Sequence, residues 1–448
     1  ALAQLLCENN LTAEVYRDNH STRNESAGCM ANVAGSPADN GSPLSYGNPC
    51  DPATGAKYET VVDYEAPGIR FSRTFRSNMV PWANAAFHIR RLPMHWTHSY
   101  VRVVRLDSTG TFPQELFRPD GSSIPVSLLS GHADVYMAQN GSGIHAKPSA
   151  GGGWDVFLSD GSHEHYDSIT CSSGQSNYTR PRFAYVEDAV GNRTDVNYPD
   201  DCADHPDAVL GPFGHSVSIT YSPFNPFSPT YVEKITDAAG DDIVFGYRGG
   251  NAGTLDSVTY QDGKALQYHY EDTQPGNELL LTGITDEENR RFSTYAYDFA
   301  GRAVSTEHAG GDFGYTALYD TRGLYTPNAY VTDAAGNNFD YLLAGTNYGP
   351  ARVNTIIKPD GNLYFSYYGS SNQYRLYQVR DETSVKTRFA YDTFHMTQLT
   401  QAYRAPEERI FTFDYLNDTS DLRTKTTRPS VCFDGTTRYA EDEVVYLP

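Results

Sequence analysis

The sequence KITDAAGDDIVFGY, at residues 234–247, places a polar turn between two strand-like segments. Asp237 stands at the first position of the turn and Gly240 at the fourth. An aspartate side chain at the first position caps the turn, and glycine accepts the positive φ that closes a type I turn with a bulge. After the turn, the large apolar residues Ile243 and Phe245 stand two positions apart, which is the period of a strand with two different faces. The segment therefore predicts an antiparallel hairpin.

The same order of strand, turn and strand returns in four further copies. They read VTYQDGKALQYHY (258–270), GITDEENRRFSTYAY (283–297), VTDAAGNNFDY (331–341) and IKPDGNLYFSYY (357–368). Their turn aspartates lie at 237, 262, 286, 333 and 360, so the steps are 25, 24, 47 and 27 residues, of which 47 is two units. Such a period indicates an array in which each unit buries its apolar face by stacking on its neighbours. The candidate turn residues are Asp237, Gly240, Asp262, Gly263, Asp333, Gly336, Asp360 and Gly361.

Tyrosine is the abundant aromatic residue, with 34 copies against 21 of phenylalanine. A tyrosine ring packs across neighbouring strands, and its hydroxyl is expected to stay in contact with water. Cross-strand aromatic pairs contribute about 0.2–1 kcal/mol each, so many in series are needed to hold a long sheet together. Helical spacing is absent from the repeats, and the sequence predicts an all-β array of antiparallel hairpins.

Tyr-Asp pairs begin at Tyr297, Tyr319 and Tyr391, and the first of them opens the sequence YDFAGR. With these pairs the units resemble the YD repeats of the Rhs (rearrangement hotspot) family. The resemblance implies repeats that wind into a spiralling β-sheet, which encloses a hollow shell and often a toxin. The spacing of the repeats alone predicts only stacked hairpins.

Three earlier motifs occur together: NPCDPATGAK (48–57), FSRTFRS (71–77) and HWTHSY (95–100). In this order they resemble the strand-rich domain that precedes the YD repeats in Rhs proteins, and Trp96, His98 and Tyr100 carry the last motif. His95 stands where the family commonly has glycine. The chain is accordingly divided into an irregular N-terminal leader (1–48), a pre-repeat domain with its hairpins (49–182) and a YD-repeat array (183–448).

The net charge of −21 and the pI of about 4.9 describe an acidic protein. Such a surface repels phosphate backbones and anionic lipids, which argues against nucleic acids and membrane surfaces as partners. No apolar run reaches the roughly 18 residues that a membrane span needs. The first residues, ALAQ, read like the end of a signal peptide. We therefore expect a secreted, extracellular protein of the cell surface.

The six cysteines include no C-x-x-C pair. They fit disulfides formed in an oxidising space better than a zinc site. Cys171 and Cys202 bracket the hairpin at 183–198, so a bond between them is predicted at its base. Cys7 and Cys29 are the next expected pair, and Cys50 and Cys432 remain by elimination.

Residue types that carry chemistry occur without a diagnostic arrangement. His163 and His165 share one strand face and offer two imidazoles to a metal, but no third ligand accompanies them, so packing is the favoured interpretation. The acidic groups at 200–201, 241–242 and 286–288 are compatible with loosely bound calcium, although their position in solvated turns is the favoured explanation. No nucleotide-binding, hydrolase or metalloprotease motif is present. The Asp-Pro-x-Gly-Leu cleavage motif of Rhs proteins is absent as well. We expect no enzymatic activity and no cofactor.

Three functions agree with these patterns. The first is a structural scaffold that self-associates into an extracellular surface fibre, because an array that ends in strands leaves an edge on which another copy can add its own. The second, implied by the Rhs resemblance, is the front part of a β-shell that encloses and delivers a toxin. The third is an adhesin that binds cell-surface carbohydrate through exposed tyrosines.

Overall fold

The structure is a computed structural model that describes residues 50–79, 92–173, 176–222, 231–248, 253–320, 328–346, 349–368, 375–403, 408–417, 420–431 and 437–443. Its regular elements are β-strands, apart from one short 3-10 segment at Ala309–Gly311. The predicted all-β fold is confirmed. Among these residues no helix is long and apolar enough to span a membrane. The predicted leader at 1–48 lies outside the described residues.

A three-stranded antiparallel sheet comes first in the chain, and we call it the small sheet. It consists of β1 (Tyr58–Ala66), β2 (Ile69–Arg76) and β3 (Trp96–His98), with β2 in the middle.

A long antiparallel sheet follows, in which each strand pairs with the next strand along the chain. Its strands are β4 (Val103–Leu106), β5 (Pro113–Phe117), β6 (Ser123–Leu128), β7 (Tyr136–Ala138), β8 (His145–Pro148), β9 (Trp154–Phe157), β10 (His163–Ser173), β11 (Ser176–Glu187), β12 (Arg193–Asn197), β13 (Ala208–Leu210), β14 (Ser216–Tyr221), β15 (Val232–Asp237), β16 (Asp242–Arg248), β17 (Thr254–Thr259), β18 (Ala265–His269), β19 (Gly283–Thr285), β20 (Arg291–Tyr297), β21 (Ala303–His308), β22 (Tyr315–Tyr319), β23 (Ala329–Asp333), β24 (Asn338–Thr346), β25 (Gly349–Lys358), β26 (Gly361–Tyr367), β27 (Leu376–Arg380), β28 (Lys386–Tyr391), β29 (Met396–Gln401), β30 (Arg409–Asn417), β31 (Ser420–Val431) and β32 (Thr437–Glu443). Residue 183, where the repeat array was predicted to begin, lies inside β11.

Along the long sheet, strands whose side chains are described often alternate between a buried and a more exposed face, as the period of two predicts. In β16, Ile243 and Phe245 are buried while Val244 between them is exposed. Residues on the buried face form one continuous apolar cluster that, within the long sheet, runs from Val104 in β4 to Phe413 in β30. The array therefore has one shared core rather than one core for each hairpin.

The small sheet lies against the buried face of the long sheet. At its β1–β2 turn, Gly68 is so close to the β13–β14 turn that an added Cβ would lie 2.3 Å from Pro212 Cδ. At the opposite end of β1, the carbonyl of Gly55 accepts a hydrogen bond from the N–H of Ala303 at the start of β21 (2.8 Å). The small sheet thus reaches across the interval from β13 to β21.

Candidate functional site

The repeat turns are closed by aspartate caps. Oδ1 of Asp237 accepts hydrogen bonds from the backbone N–H groups two and four residues further on, both at 2.9 Å, and Gly240 has a φ of 90°. Asp333 and Gly336 repeat this arrangement between β23 and β24, with distances of 2.9 and 2.8 Å and a φ of 83°. The same cap is made by Asp188, Asp286, Asp298 and Asp381, with positive φ at Gly191, Asn289, Gly301 and Ser384.

The turns at 262 and 360 have other geometries. Asp262 occupies the third position of its turn, where Oδ1 accepts from the N–H of Lys264 (3.1 Å), and Gly263 has a φ of 79°. Between β25 and β26, Lys358 pairs directly with Gly361, so that Asp360 is one of only two loop residues. Gly361 has a φ of 128°, and an added Cβ there would meet the side chain of Glu382.

Two tyrosines of the Tyr-Asp pairs, Tyr297 and Tyr319, join neighbouring strands through their hydroxyl groups. The hydroxyl of Tyr297 donates to the carbonyl of Leu281 (2.7 Å), and that of Tyr319 donates to the carbonyl of Ala303 (2.9 Å). The same bond is made by Tyr198, Tyr221, Tyr247, Tyr367 and Tyr415, to carbonyls 14 to 19 residues earlier. Burial raises the pKa of Tyr297 well above its usual range. The expectation that the hydroxyl stays in water is wrong for Tyr297, because this residue is buried and its hydroxyl satisfies a backbone carbonyl.

The sequence YDFAGR links one of these turns to the next tyrosine. The guanidinium of Arg302 pairs with the capping carboxylate of Asp298 (2.7 Å) and lies over the ring of Tyr319, 4.6 Å from its centroid. The repeat motif thus couples a turn at the end of one hairpin to an aromatic ring on the following strand.

Cys171, on β10, forms a disulfide with Cys202, and their Cα atoms are 5.7 Å apart. Arg180 donates to the backbone carbonyl of Cys202 (3.1 Å), which holds the β12–β13 loop against β11. Cys50 is buried at the start of the pre-repeat domain. The other predicted partners, Cys7, Cys29 and Cys432, lie outside the described residues.

The residues of the HWTHSY motif fix the small sheet to the long one. Trp96, His98 and Tyr100 are all buried. The indole N–H of Trp96 donates to the hydroxyl of Tyr270 (2.9 Å), and its ring meets that of Tyr268 edge-on at 5.0 Å. Burial lowers the pKa of His98 to about 3, so this imidazole is neutral at physiological pH.

A buried ion pair reinforces the same interface. Arg73 donates two hydrogen bonds to Asp63, at 2.5 and 2.8 Å, and both side chains are fully buried. The long sheet completes the cluster: Tyr260 donates to Asp63 (3.0 Å), and Arg73 donates to the hydroxyl of Tyr268 (2.9 Å). Burial raises the pKa of Tyr268 to about 12. These hydrogen bonds join the small sheet to the long sheet.

A second buried cluster surrounds Glu164 on β10. Its carboxylate accepts two hydrogen bonds from Arg118 and one from Tyr166, all at 2.7 Å, and it also pairs with Arg102. Burial would raise the pKa of Glu164, but the two arginines lower it to about 2. These groups join the turn between β5 and β6, and the segment before β4, to the buried face of β10.

His163 and His165 point away from Glu164, because alternate residues of a strand face opposite sides. His165 pairs with carboxylates through both ring nitrogens, at 2.7 Å to Asp155 and 3.3 Å to Asp167. Within the described part of the chain, no group of three or more His, Cys, Asp or Glu side chains is placed to hold a metal ion.

One contact joins strands that lie far apart in the sheet, and we call it the seam. It is formed by residues 392–395, in the turn from β28 to β29, against residues 129–145, between the end of β6 and the start of β8. Phe394 packs into an apolar cluster with Leu129, Val135 and Met137, and its ring centroid lies 4.9 Å from that of His145. Since β28 lies twenty strands after β8, the long sheet curves until it meets itself.

Neither a protein-family model nor a curated protein sequence matches the chain. Among solved structures, it is similar to the crystal structure of TcdB2-TccC3, at 11% identity over 73% of this chain and 20% of that one, with a TM-score of 0.33. It is also similar to the Tc holotoxin pore of Photorhabdus luminescens, at 10% identity over 83% of this chain and 22% of that one, with a TM-score of 0.34. The chain spans about a fifth of the length of the chains that it matches in these structures.

Proposed function

We propose that this chain is a non-enzymatic wall segment of a hollow β-shell that encloses a protein cargo. The seam carries this proposal. A sheet that curves until Phe394 packs against residues 129–145 is bent around an interior. A flat sheet that grows into a fibre by adding strands at its edge would not require a contact between strands so far apart.

The interior side of this wall is reinforced by buried polar groups. Asp63 and Arg73 tie the small sheet to Tyr260 and Tyr268 of the long sheet, and Glu164 ties the segments around β4 and β5 to β10. Removing one member of such a buried pair costs far more than removing one member of an exposed pair. Clusters of this kind suit a wall that must keep its curvature while it surrounds another chain.

A toxin is the class of cargo that the Rhs resemblance implies, and secretion is the expected route. The Cys171–Cys202 disulfide supports an oxidising destination, because such bonds are rare in reducing compartments. The fibre and adhesin interpretations gain no contact of comparable kind from the described residues.

Electron microscopy of the purified 49.6 kDa chain, combined with light scattering across a range of concentrations, tests the proposal. We expect curved particles with a weakly scattering centre, whose mass does not grow with concentration. Long filaments that lengthen with concentration would support the fibre instead.

Phe394→Ala is a perturbation aimed at the seam, and Phe299→Ala is its matched control, since Phe299 occupies another Tyr-Asp turn but is 80% exposed. We expect the first variant to open the particle and the second to leave it closed. Equal behaviour of the two variants would remove the seam as support for a shell.

A further inference from the structure

His145 lies in the seam against Phe394 and is entirely buried. Its ring stacks on Phe157, with centroids 5.0 Å apart and planes 12° apart, and is tilted against Phe394 on the other side. Nδ1 lies 3.2 Å from the carbonyl of Gly143. Nε2 is buried as well and has no hydrogen-bond partner among the described residues.

The groups that face His145 are mainly cationic or able to become so. From across the seam come Arg375 and His395, both buried, and from its own strand comes Lys147. Arg375 is fixed in place, since it donates to the carbonyls of Phe394 (2.8 Å) and Asp392 (3.2 Å).

Other titratable groups at or near the seam contact the neighbours of the His145 ring. The carboxylate of Asp392 is 3.4 Å from Nδ1 of His395, which leaves it directed at that ring. His132 meets the edge of Phe394, and His163 stacks on the far neighbour Phe157. The described surroundings of His145 therefore supply positive charge, while the carboxylate of Asp392 is turned to His395.

We propose that the seam is an acid-sensitive latch, in which proton uptake by His145 separates the two turns of the sheet. The opening of the seam does not depend on the proposed function, but the consequence that a shell opens does rest on it. An imidazolium needs acceptors for two N–H groups, and the closed seam gives Nδ1 one carbonyl and Nε2 none. Protonation would also place a cation beside Arg375. Opening the seam relieves both penalties by exposing the ring to water.

The direction of the pH effect follows from burial. Desolvation is the main cause that lowers the pKa of His145 to about 4 in the closed seam, against 6.5 for an exposed ring; the hydrogen bond to Gly143 opposes this shift and the neighbouring cations add to it. The open form therefore binds the proton more readily, and closure is favoured above pH 6.5 and weakens as the pH falls towards 4. At pH 5 the ratio of open to closed seam should be about 30-fold higher than at pH 7.5.

Hydrogen–deuterium exchange on the full chain measures this opening, with labelling times adjusted for the intrinsic pH dependence of exchange. We expect the segments 129–145 and 391–396 to lose protection together between pH 6.5 and 4.5, before the rest of the sheet. A wild-type seam that remains as protected at pH 5 as at pH 7.5 would overturn the proposal.

His145→Phe keeps an aromatic ring in the seam but cannot be protonated, so its seam should stay protected at pH 5. His145→Gln serves as a second uncharged variant in case the phenylalanine fits poorly. His205→Phe is the matched control, because His205 also packs on an aromatic ring, that of Tyr221, but lies outside the seam. If the His145 variants open at the same pH as wild type, another group is the trigger and the proposal fails.

Failure of the latch proposal can be distinguished from failure of the shell proposal. Particles that are hollow at neutral pH but whose seam ignores acid would refute the latch alone. Chains that form filaments would refute the shell, whatever the seam does with pH.

Discussion

Glu164→Gln is expected to lower the free energy of unfolding by about 3–5 kcal/mol, the range for removing one partner of a buried ion pair. The carboxylate is fully buried and accepts hydrogen bonds from Arg118 and Tyr166 at 2.7 Å, while Arg102 pairs with it from the other side. A glutamine has nearly the same shape, but it removes the charge and directs an NH2 group towards a guanidinium. Two arginines would then lie in or near the core without their counter-charge.

The pH dependence of this effect follows from the pKa of Glu164. Burial raises that pKa while Arg102 and Arg118 lower it, and the result is about 2 in the folded chain against 4.5 for an ordinary glutamate. A lowered carboxyl pKa stabilises the fold fully above pH 4.5, and the contribution is lost as the pH falls towards 2. The pKa difference corresponds to about 3 kcal/mol, so wild type and variant should differ most near neutral pH and converge in acid.

Urea unfolding at pH 7 and at pH 3, followed by tyrosine and tryptophan fluorescence, is the assay. Glu115→Gln is the matched control, because Glu115 pairs with Arg105 at 2.6 Å but the arginine side chain is 47% exposed. An exposed pair of this kind contributes less than about 1 kcal/mol. If the two variants lose similar stability at pH 7, the Glu164 cluster is not the reinforcement described above.

Three further predictions concern the long sheet. Replacing Cys171 and Cys202 together by serine should cost about 3–4 kcal/mol, the chain-entropy value for a loop of roughly 30 residues, and thermal unfolding with and without reductant measures it. Tyr297→Phe should lower the free energy of unfolding by about 1 kcal/mol, because it leaves the carbonyl of Leu281 without its donor. Tyr178→Phe, at an exposed position, should change the free energy of unfolding little in the same urea assay. Gly240→Val should lower the free energy of unfolding by on the order of 1–2 kcal/mol, because valine is strained at a φ of 90°. An added Cβ at Gly240 has no heavy atom within 4 Å, so backbone strain rather than a clash is the expected cause.

The hairpins of the array could be predicted from the sequence because their determinants are local. An Asp-x-x-Gly turn is closed by bonds within five residues, as at Asp237 and Gly240. Alternation such as that of Ile243 and Phe245 then assigns the buried face of the strand that follows. Neither step requires knowledge of what lies across the sheet.

The buried clusters could not be predicted in this way, because their partners are distant in sequence. Tyr260 meets Asp63 across 197 residues, and Tyr268 meets Arg73 across 195. One local signal was available: Arg73 stands midway between Phe71 and Phe75 on the buried face of β2, where a charge requires a buried partner. The identity of that partner depends on how the two sheets pack, which no short segment encodes.

The seam shows most clearly why closure of the sheet lies beyond the repeat pattern. Phe299 and Phe394 both stand in capped turns that follow a Tyr-Asp pair, one or two residues after the aspartate, and their local sequences predict similar exposure. Phe299 is exposed, whereas Phe394 is buried against Leu129 and His145. The difference arises from position along the curved sheet. Of these two turns, only the one with Phe394 lies against the segment between β6 and β8. Curvature accumulates from small twists at every strand pair, so the place where the sheet meets itself is a property of the whole array.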